Sequence, residues 1–177
     1  MVSFAATQTV FMNASLPKAF ARLPQTAKRR FVAGIDPGVH TGIGIFDRQK
    51  GIVTKVRETD FFGVIPYLMD NVRIADLMVF VEVPGLAFYK GNDNSEDAGG
   101  GRLRDGFMAR CGMNRREAQL LAEMLRRNRF EVREVTPVRQ AKWDVYEFQS
   151  ITKRKDKPSQ HVMDAVRLAM HYANQQF

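Results

Sequence analysis

Residues 31–36 read Phe-Val-Ala-Gly-Ile-Asp, and Pro37 and Gly38 follow them directly. The short apolar run predicts a β-strand, and Asp-Pro-Gly is typical of a tight turn that ends one. Asp36 therefore stands at the end of the first predicted strand. Taken alone, its carboxylate either shapes the turn or is available for chemistry.

The chain after this turn predicts a hairpin. Gly42–Asp47 and Gly51–Glu58 alternate apolar with other residues, and the polar stretch of residues 48–50 separates them. This pattern favours two antiparallel strands joined by a short turn.

The rest of the chain alternates helical and strand patterns. Four residues spaced along one side of the first helix are apolar (Phe61, Ile65, Leu68 and Met69), and the second helix has a similar stripe of Ala118, Leu121, Ala122 and Leu125. The predicted elements are a helix over Phe61–Val72, a strand over Leu77–Val83, a long glycine-rich loop over Pro84–Met113, a helix capped by Asn114 and reaching Asn128, a strand over Phe130–Val135, a short helix from Pro137 to about Tyr146, a basic loop over Lys153–Lys157, and a last helix capped by Ser159.

This order of elements predicts an α/β fold. A hairpin-bearing first half followed by helical crossovers implies a mixed five-stranded sheet with helices packed on it. The chain has 177 residues, which is the size of one domain. We expect a basic N-terminal arm or extension over residues 1–30 and a single folded domain over residues 31–177.

Composition excludes several classes of protein. With 45% hydrophobic and 26% charged residues, wholesale disorder and fibrous folds are excluded. The single cysteine rules out an internal disulfide and a cysteine-based zinc site, which favours a reducing compartment. The sequence has no apolar stretch long enough to span a membrane, so we expect a cytoplasmic protein with no membrane partner.

The charge is uneven along the chain. A formal net charge of +8 points to a polyanion as partner, and nucleic acid is the commonest one. Residues 1–35 contain five basic residues and no acid, residues 36–100 have a net charge of −4, and residues 101–160 have a net charge of +7. The N-terminal stretch fits an arm that clamps nucleic acid or a partner subunit, and it also fits an organellar transit peptide.

Three further residues carry possible chemistry. Glu82 is the only charge in an apolar strand, where a lone acid is costly unless it is paired or binds a cation. His161 and Asp164 stand three residues apart near the start of the last helix, on one face. If these side chains meet Asp36, the carboxylates favour Mg²⁺ or Mn²⁺, and two such ions could support phosphodiester cleavage. The alternatives are an arginine partner for Glu82 and helix-start roles for His161 and Asp164.

These motifs resemble one known family. The set of Gly34-Ile35-Asp36-Pro37-Gly38, Thr41-Gly42-Ile43-Gly44, Val81-Glu82 and His161-Val162-Met163-Asp164-Ala165 is similar to the RuvC family of Holliday-junction resolvases, in a divergent, phage- or organelle-type form. The resemblance covers roughly residues 31–175 and implies a ribonuclease H-like fold. It also implies a homodimeric, structure-selective endonuclease that makes paired nicks in four-way or branched DNA.

The resemblance assigns roles to residues of this chain. Asp36, Glu82, His161 and Asp164 would hold two Mg²⁺ or Mn²⁺ ions, with His161 either a ligand or a general base, and Lys142 would stabilise charge at the scissile phosphate. An aromatic residue, Phe88 or Tyr89, would stack on bases at the crossover. The residues expected to bind DNA are Phe88, Tyr89, Lys90, Arg102, Arg104, Arg115, Arg139, Lys142, Lys153, Arg154 and Lys155.

Other functions share parts of this pattern. A ribonuclease H-type enzyme that cuts RNA in RNA–DNA hybrids would use the same metal chemistry. The spacing Asp36-x-Gly38-x-x-Thr41-Gly42 also resembles the phosphate loop of the actin and sugar-kinase ATPase fold, although those proteins need two such domains. A non-catalytic, junction-binding protein with a degenerate site is the remaining alternative.

Overall fold

The computed structural model describes residues 29–84, 101–137 and 141–175, with side chains in the second helix described from residue 112 onward. The folded elements are β1 (Phe31–Asp36), β2 (Thr41–Asp47), β3 (Ile52–Thr59), α1 (Val64–Asn71), β4 (Leu77–Glu82), α2 (Gly101–Arg127), β5 (Glu131–Val135), α3 (Val145–Thr152) and α4 (Gln160–Ala173).

The five strands form one mixed sheet in the order β3-β2-β1-β4-β5. The pairs β1–β2 and β2–β3 are antiparallel, whereas β1–β4 and β4–β5 are parallel. The predicted hairpin and the predicted order of strands and helices are therefore confirmed. The predicted α/β fold class, a mixed five-stranded sheet flanked by helices, is confirmed as well.

Each face of the sheet has its own hydrophobic core. One face packs against α1 and α2 through a cluster that includes Ile35, Leu68 and Leu121. The other face packs against α3 and α4 through a cluster that includes Phe80 and Phe148. Since β1 and β4 contribute buried residues to both clusters, they form the centre of the molecule, as the apolar run of β4 predicts.

Three helix predictions are corrected by the structure. The predicted loop over Pro84–Met113 is wrong in its last part, because α2 begins at Gly101 instead of Asn114. The predicted helix from Pro137 is also wrong, because α3 begins at Val145, where Asp144 and Glu147 form a reciprocal capping box. Met69 is exposed instead of facing the core, since α1 is short and buries only Val64 and Leu68 fully.

The last helix begins where the sequence predicts. Ser159 is the N-cap residue of α4, although its side chain makes no capping hydrogen bond. The other end of α4 is held by Arg48, whose guanidinium donates to the carbonyl oxygens of Tyr172 and Ala173 at 3.2 and 3.1 Å. Arg48 thus satisfies carbonyl groups that a helix end leaves without partners.

The start of the described chain is attached to the sheet. Arg30 donates to the buried carboxylate of Asp47, with Nη2 and Oδ2 2.8 Å apart. Arg29 pairs with Glu131 at 3.0 Å and donates to the carbonyl oxygen of Ala75. The remainder of the predicted arm, residues 1–28, lies outside the described residues. In the part of the chain that is described, no helix is long and apolar enough to cross a membrane.

Candidate active site

The carboxyl ends of β1 and β4 place two acids side by side. The parallel register pairs Ile35 with Val81, so Asp36 and Glu82 are the next residues on adjacent central strands. Neighbouring strands in a sheet lie about 4.8 Å apart. The carboxyl end of adjacent parallel strands is also where open α/β sheets bind their ligands.

The turn after Asp36 is closed by a threonine. The hydroxyl of buried Thr41 donates to the carbonyl oxygen of Gly38 at 2.9 Å. This contact joins the two ends of the turn that Pro37 and Gly38 begin, so the chain reverses directly into β2. Asp36 is therefore held at the rim of the sheet.

Glycines in β1 and β2 bring α4 to this rim. A Cβ atom on Gly42 would overlap the carbonyl group of His161 and would lie 2.7 Å from the nitrogen of Val162. A Cβ atom on Gly34 would lie 2.6 Å from the nitrogen of Ala169. Only residues without a side chain allow the helix backbone to approach this closely. As a result, the first turns of α4 lie directly over the sheet.

This approach delivers His161 and Asp164 to the two acids. His161 Nδ1 and Asp36 Oδ2 are 2.9 Å apart, which is hydrogen-bonding distance. Asp164 is largely buried, with a side chain that is 12% exposed. Its Oδ1 accepts from Gln160 at 3.1 Å and contacts Arg167 at 3.0 Å. Three elements distant in sequence, β1, β4 and α4, thus meet at one place.

Lys142 lies at the entrance of this group. Its Nζ is 3.8 Å from Asp164 Oδ2, and its side chain is 71% exposed. A lysine so exposed is able to move between the carboxylate and an incoming phosphate. All five predicted catalytic or metal-binding residues, Asp36, Glu82, His161, Asp164 and Lys142, are therefore brought together.

The pKa values of the two strand acids reflect this crowding. The pKa of Glu82 is raised to about 7, first by burial and then by the nearby negative charges of Asp36 and Asp164, against the lowering effect of Arg167 and Lys142. Burial also raises the pKa of Asp36, although its hydrogen bond with His161 opposes the shift. Burial is the first cause of both shifts, and for Glu82 the negative charges of the neighbouring acids add to it.

The donor set fits a divalent metal ion in chemistry and in charge. Carboxylate oxygens are the ligands that Mg²⁺ and Mn²⁺ prefer, and an unbalanced cluster of them is stabilised by a cation. As placed, however, no three His, Cys, Asp or Glu side chains within residues 29–84, 112–137 and 141–175 converge closely enough to hold one ion. The two basic side chains on Asp164 occupy both of its oxygens.

The predicted DNA-binding residues are spread more widely. Arg115 lies on α2 and lines an open cleft of about 200 Å³ together with Val83 and Pro84, which follow Glu82 directly. Arg154 donates to the carbonyl oxygen of Thr54 on the outer strand β3 and pairs with Asp156 at 2.5 Å. Lys153 and Lys155 beside it are exposed.

The basic loop is therefore separated from the acids. Thr54 lies near the start of β3, which is two strands away from β1 in the sheet. The structure thus brings Arg115 close to the rim and leaves the basic loop at the edge of the sheet. The remaining predicted contacts lie outside the described residues or side chains, namely Phe88, Tyr89, Lys90, Arg102, Arg104 and Arg139.

Two residues of the site were not predicted. Gln160 and Arg167 stand one turn before and nearly one turn after Asp164, and both contact its Oδ1. Their spacing from Asp164, at i−4 and i+3, is the signal that could have identified them, because residues so spaced are neighbours on a helix.

No protein-family model matches this chain, and no curated protein matches it. Among solved structures, the chain is similar to RuvC of T. thermophilus, solved in complex with Holliday junction substrate. The two share 19% sequence identity over 81% of this chain and 92% of the other, with a TM-score of 0.48. At this level of similarity, the chemistry of the site follows from the topology and contacts of this chain itself.

Proposed function

We propose that the protein is a metal-dependent endonuclease that cuts branched DNA, with four-way junctions as its preferred substrate. The observation that supports it is the meeting of Asp36, Glu82, His161 and Asp164 at one sheet rim, with Lys142 at its entrance. Two acids at the ends of adjacent parallel strands and a third acid from α4 form an electronegative site. The chain as a whole is basic, with a formal net charge of +8. Such a combination suits metal-assisted chemistry on a polyanion.

In this proposal, Asp36, Glu82 and Asp164 would hold the metal ions, which requires these side chains to converge more closely than they do as placed. Two bound Mg²⁺ or Mn²⁺ ions would activate a water molecule and stabilise the leaving oxygen of the phosphodiester. The raised pKa of Glu82, about 7, means that binding of a cation would also release a proton near neutral pH. Metal binding should therefore strengthen as the pH rises through 7.

His161 and Lys142 would handle the proton and the phosphate. Because His161 Nδ1 is engaged with Asp36, its Nε2 is the nitrogen left to accept a proton from water, which requires a neutral imidazole. Lys142 would leave Asp164 and contact the non-bridging oxygens as negative charge develops on them. Its high exposure makes this movement possible without rearrangement of the core.

Binding and selectivity would come from phosphate contacts. The exposed lysines at residues 153 and 155 and Arg115 near the rim would contact the backbone and not the base edges. The shape of the junction would provide selectivity, and a two-fold junction would suit a homodimer with one active site per subunit. Affinity should then fall steeply as the salt concentration rises.

Cleavage of labelled substrates tests this proposal. A four-way junction, a linear DNA duplex and an RNA–DNA hybrid would be incubated with the wild type in Mg²⁺ and in Mn²⁺. We expect paired nicks in the junction that Asp36→Asn abolishes while junction binding persists. Asp70→Asn is the matched control, since Asp70 is an exposed acid on α1, away from the rim. Cleavage of the hybrid alone would identify a ribonuclease H-type enzyme instead.

A second variant separates catalysis from binding. Lys142→Ala should lower the single-turnover cleavage rate about 10²-fold or more and change junction affinity by less than about threefold. Lys50→Ala, in the exposed β2–β3 turn, is the control and should change neither value. Equal losses of rate and affinity in Lys142→Ala would make Lys142 only a phosphate contact.

A further inference from the structure

Arg167 is a buried arginine in the middle of α4. Its side chain is 9% exposed, and its Nη2 lies 3.0 Å from Asp164 Oδ1. Its Nη1 donates to the carbonyl oxygen of Ala141 at 2.6 Å. Arginine is rarely buried in this way unless it is paired, and here the two ends of one planar guanidinium contact two different parts of the chain.

The second of these contacts reaches the segment that contains Lys142. Ala141 precedes Lys142 directly, and Lys142 Nζ lies 3.8 Å from the other oxygen of Asp164. Residues 141–144 belong to no helix or strand, and α3 begins only at Val145. The position of Lys142 therefore depends on side-chain contacts and not on a regular backbone ladder.

We propose that Arg167 is a positioning residue that fixes the Lys142 segment against Asp164. Its guanidinium joins the helix carboxylate to the carbonyl oxygen of Ala141, so that the acid and the lysine keep a constant separation. This inference rests on the proposed function for its consequence in catalysis, but the contact itself does not depend on any activity.

The competing explanation is charge balance alone. In that case Arg167 would only neutralise Asp164, and any cation at the position would serve. Lysine carries the same charge but a single ammonium group, which cannot reproduce a planar fork that spans two acceptors. Arg167→Lys therefore tests positioning, and Arg167→Met tests positioning and charge together.

Trp143 provides a readout that needs no substrate. It is the only tryptophan of the protein, it follows Lys142 directly, and it packs partly buried against the core on the α4 side of the sheet. If Arg167 holds this segment, quenching of Trp143 fluorescence by acrylamide should rise about twofold in Arg167→Lys, because the segment opens locally.

A matched control removes an arginine outside α4 that contacts the C-terminal end of this helix. Arg48→Met deletes the contacts to the carbonyl oxygens of Tyr172 and Ala173 and should lower the melting temperature. It should leave Trp143 quenching and the cleavage rate unchanged within about twofold, because it does not contact residues 141–144. A general loss of stability can thus be distinguished from a loss of positioning.

The junction-cleavage assay supplies the second readout. Arg167→Lys should lower the single-turnover rate about 10- to 100-fold with junction affinity within about threefold, since small displacements of a catalytic group are costly. When Lys142 is already replaced by alanine, Arg167→Lys should lower the single-turnover rate by less than about twofold more. The reason is that the group positioned by Arg167 is then already absent.

The outcomes distinguish the two proposals. If Trp143 quenching and the cleavage rate of Arg167→Lys both stay at the wild-type values, the positioning role is overturned. If quenching rises but the wild type cuts none of the substrates, the positioning contact stands and the proposed nuclease function fails. If Arg167→Lys and Lys142→Ala lower the rate independently, so that their effects multiply, the link through Lys142 is wrong. Should Arg167→Met not fold, Arg167→Lys alone carries the test.

Discussion

The approach of α4 to the sheet makes Gly42 the most sensitive position in β2. In Gly42→Ala the new methyl group would overlap the carbonyl group of His161 and lie 2.7 Å from the nitrogen of Val162. Ordinary contacts between such atoms are about 3.5 Å or longer, so the start of α4 must retreat by about 1 Å. Because both sides of the contact are backbone, no side-chain rotation can relieve it.

Two consequences follow from this displacement. Overpacking of a core typically costs about 1–3 kcal/mol, and for a domain of this size each kcal/mol lowers the melting temperature by about 2–4 °C. In addition, His161 would move away from Asp36. The distance between His161 Nδ1 and Asp36 Oδ2, which is 2.9 Å, would then grow beyond hydrogen-bonding range. We therefore expect Gly42→Ala to lose cleavage activity even at temperatures where it remains folded.

Gly38→Ala is the matched control for this substitution. The nearest atom to a Cβ on Gly38, the carbonyl oxygen of His40, is 3.8 Å away, which is an ordinary contact. Urea denaturation and thermal unfolding of both variants, followed by circular dichroism, would measure the free-energy difference. If Gly42→Ala were as stable as Gly38→Ala, the close packing of α4 on β2 would be refuted.

Three further predictions concern stability and are measured by denaturation in the absence of divalent ions. Since the pKa of Glu82 is raised from 4.5 to about 7 by folding, its contribution to stability is full below pH 4.5 and is lost as the pH rises through 7, a loss of about 2–4 kcal/mol. Glu82→Gln should remove this loss, and an unchanged pH profile would contradict it. Asp47 is 1% exposed, and Arg30 lowers its pKa. Asp47→Asn should therefore lower the free energy of unfolding by about 2–4 kcal/mol at pH 7 and by progressively less as the pH falls below 4. An equal loss at all pH values would disprove the pairing. Asp144→Ala removes the capping box of α3 and should cost about 1 kcal/mol, whereas no change would show that the cap is not needed.

The sheet and its acids were predictable because their signals are local. The apolar run before Asp36, the hairpin and the lone Glu82 in an apolar strand define β1 to β4 and place two carboxylates at strand ends. The stripe of Ala118, Leu121, Ala122 and Leu125 predicts the buried side of α2, and all four residues are buried. Neighbouring residues determine each of these features, so periodicity alone reveals them.

What the sequence did not reveal depends on competing local signals or on distant contacts. Asp144-x-x-Glu147 forms a capping box, yet Pro137 also predicts a helix start, because proline is favoured in a first helical turn. The run Gly99-Gly100-Gly101 predicts a loop that continues to Met113, whereas α2 already begins at Gly101. The role of Arg167 depends on Ala141, which is 26 residues away and follows no periodic pattern.

The attachment of Arg29 and Arg30 determines where additional chain can leave this domain. Both arginines are bound at the amino end of β1, whereas Asp36 stands at its carboxyl end. Six residues of strand separate the two ends by about 17 Å. An affinity tag, a fluorophore or a second module attached directly to Arg29 in place of residues 1–28 would therefore leave the domain at the end opposite Asp36. With a linker shorter than about five residues, such an addition could not reach the rim that holds Asp36, so the shortened protein could be immobilised at Arg29 without covering the candidate active site.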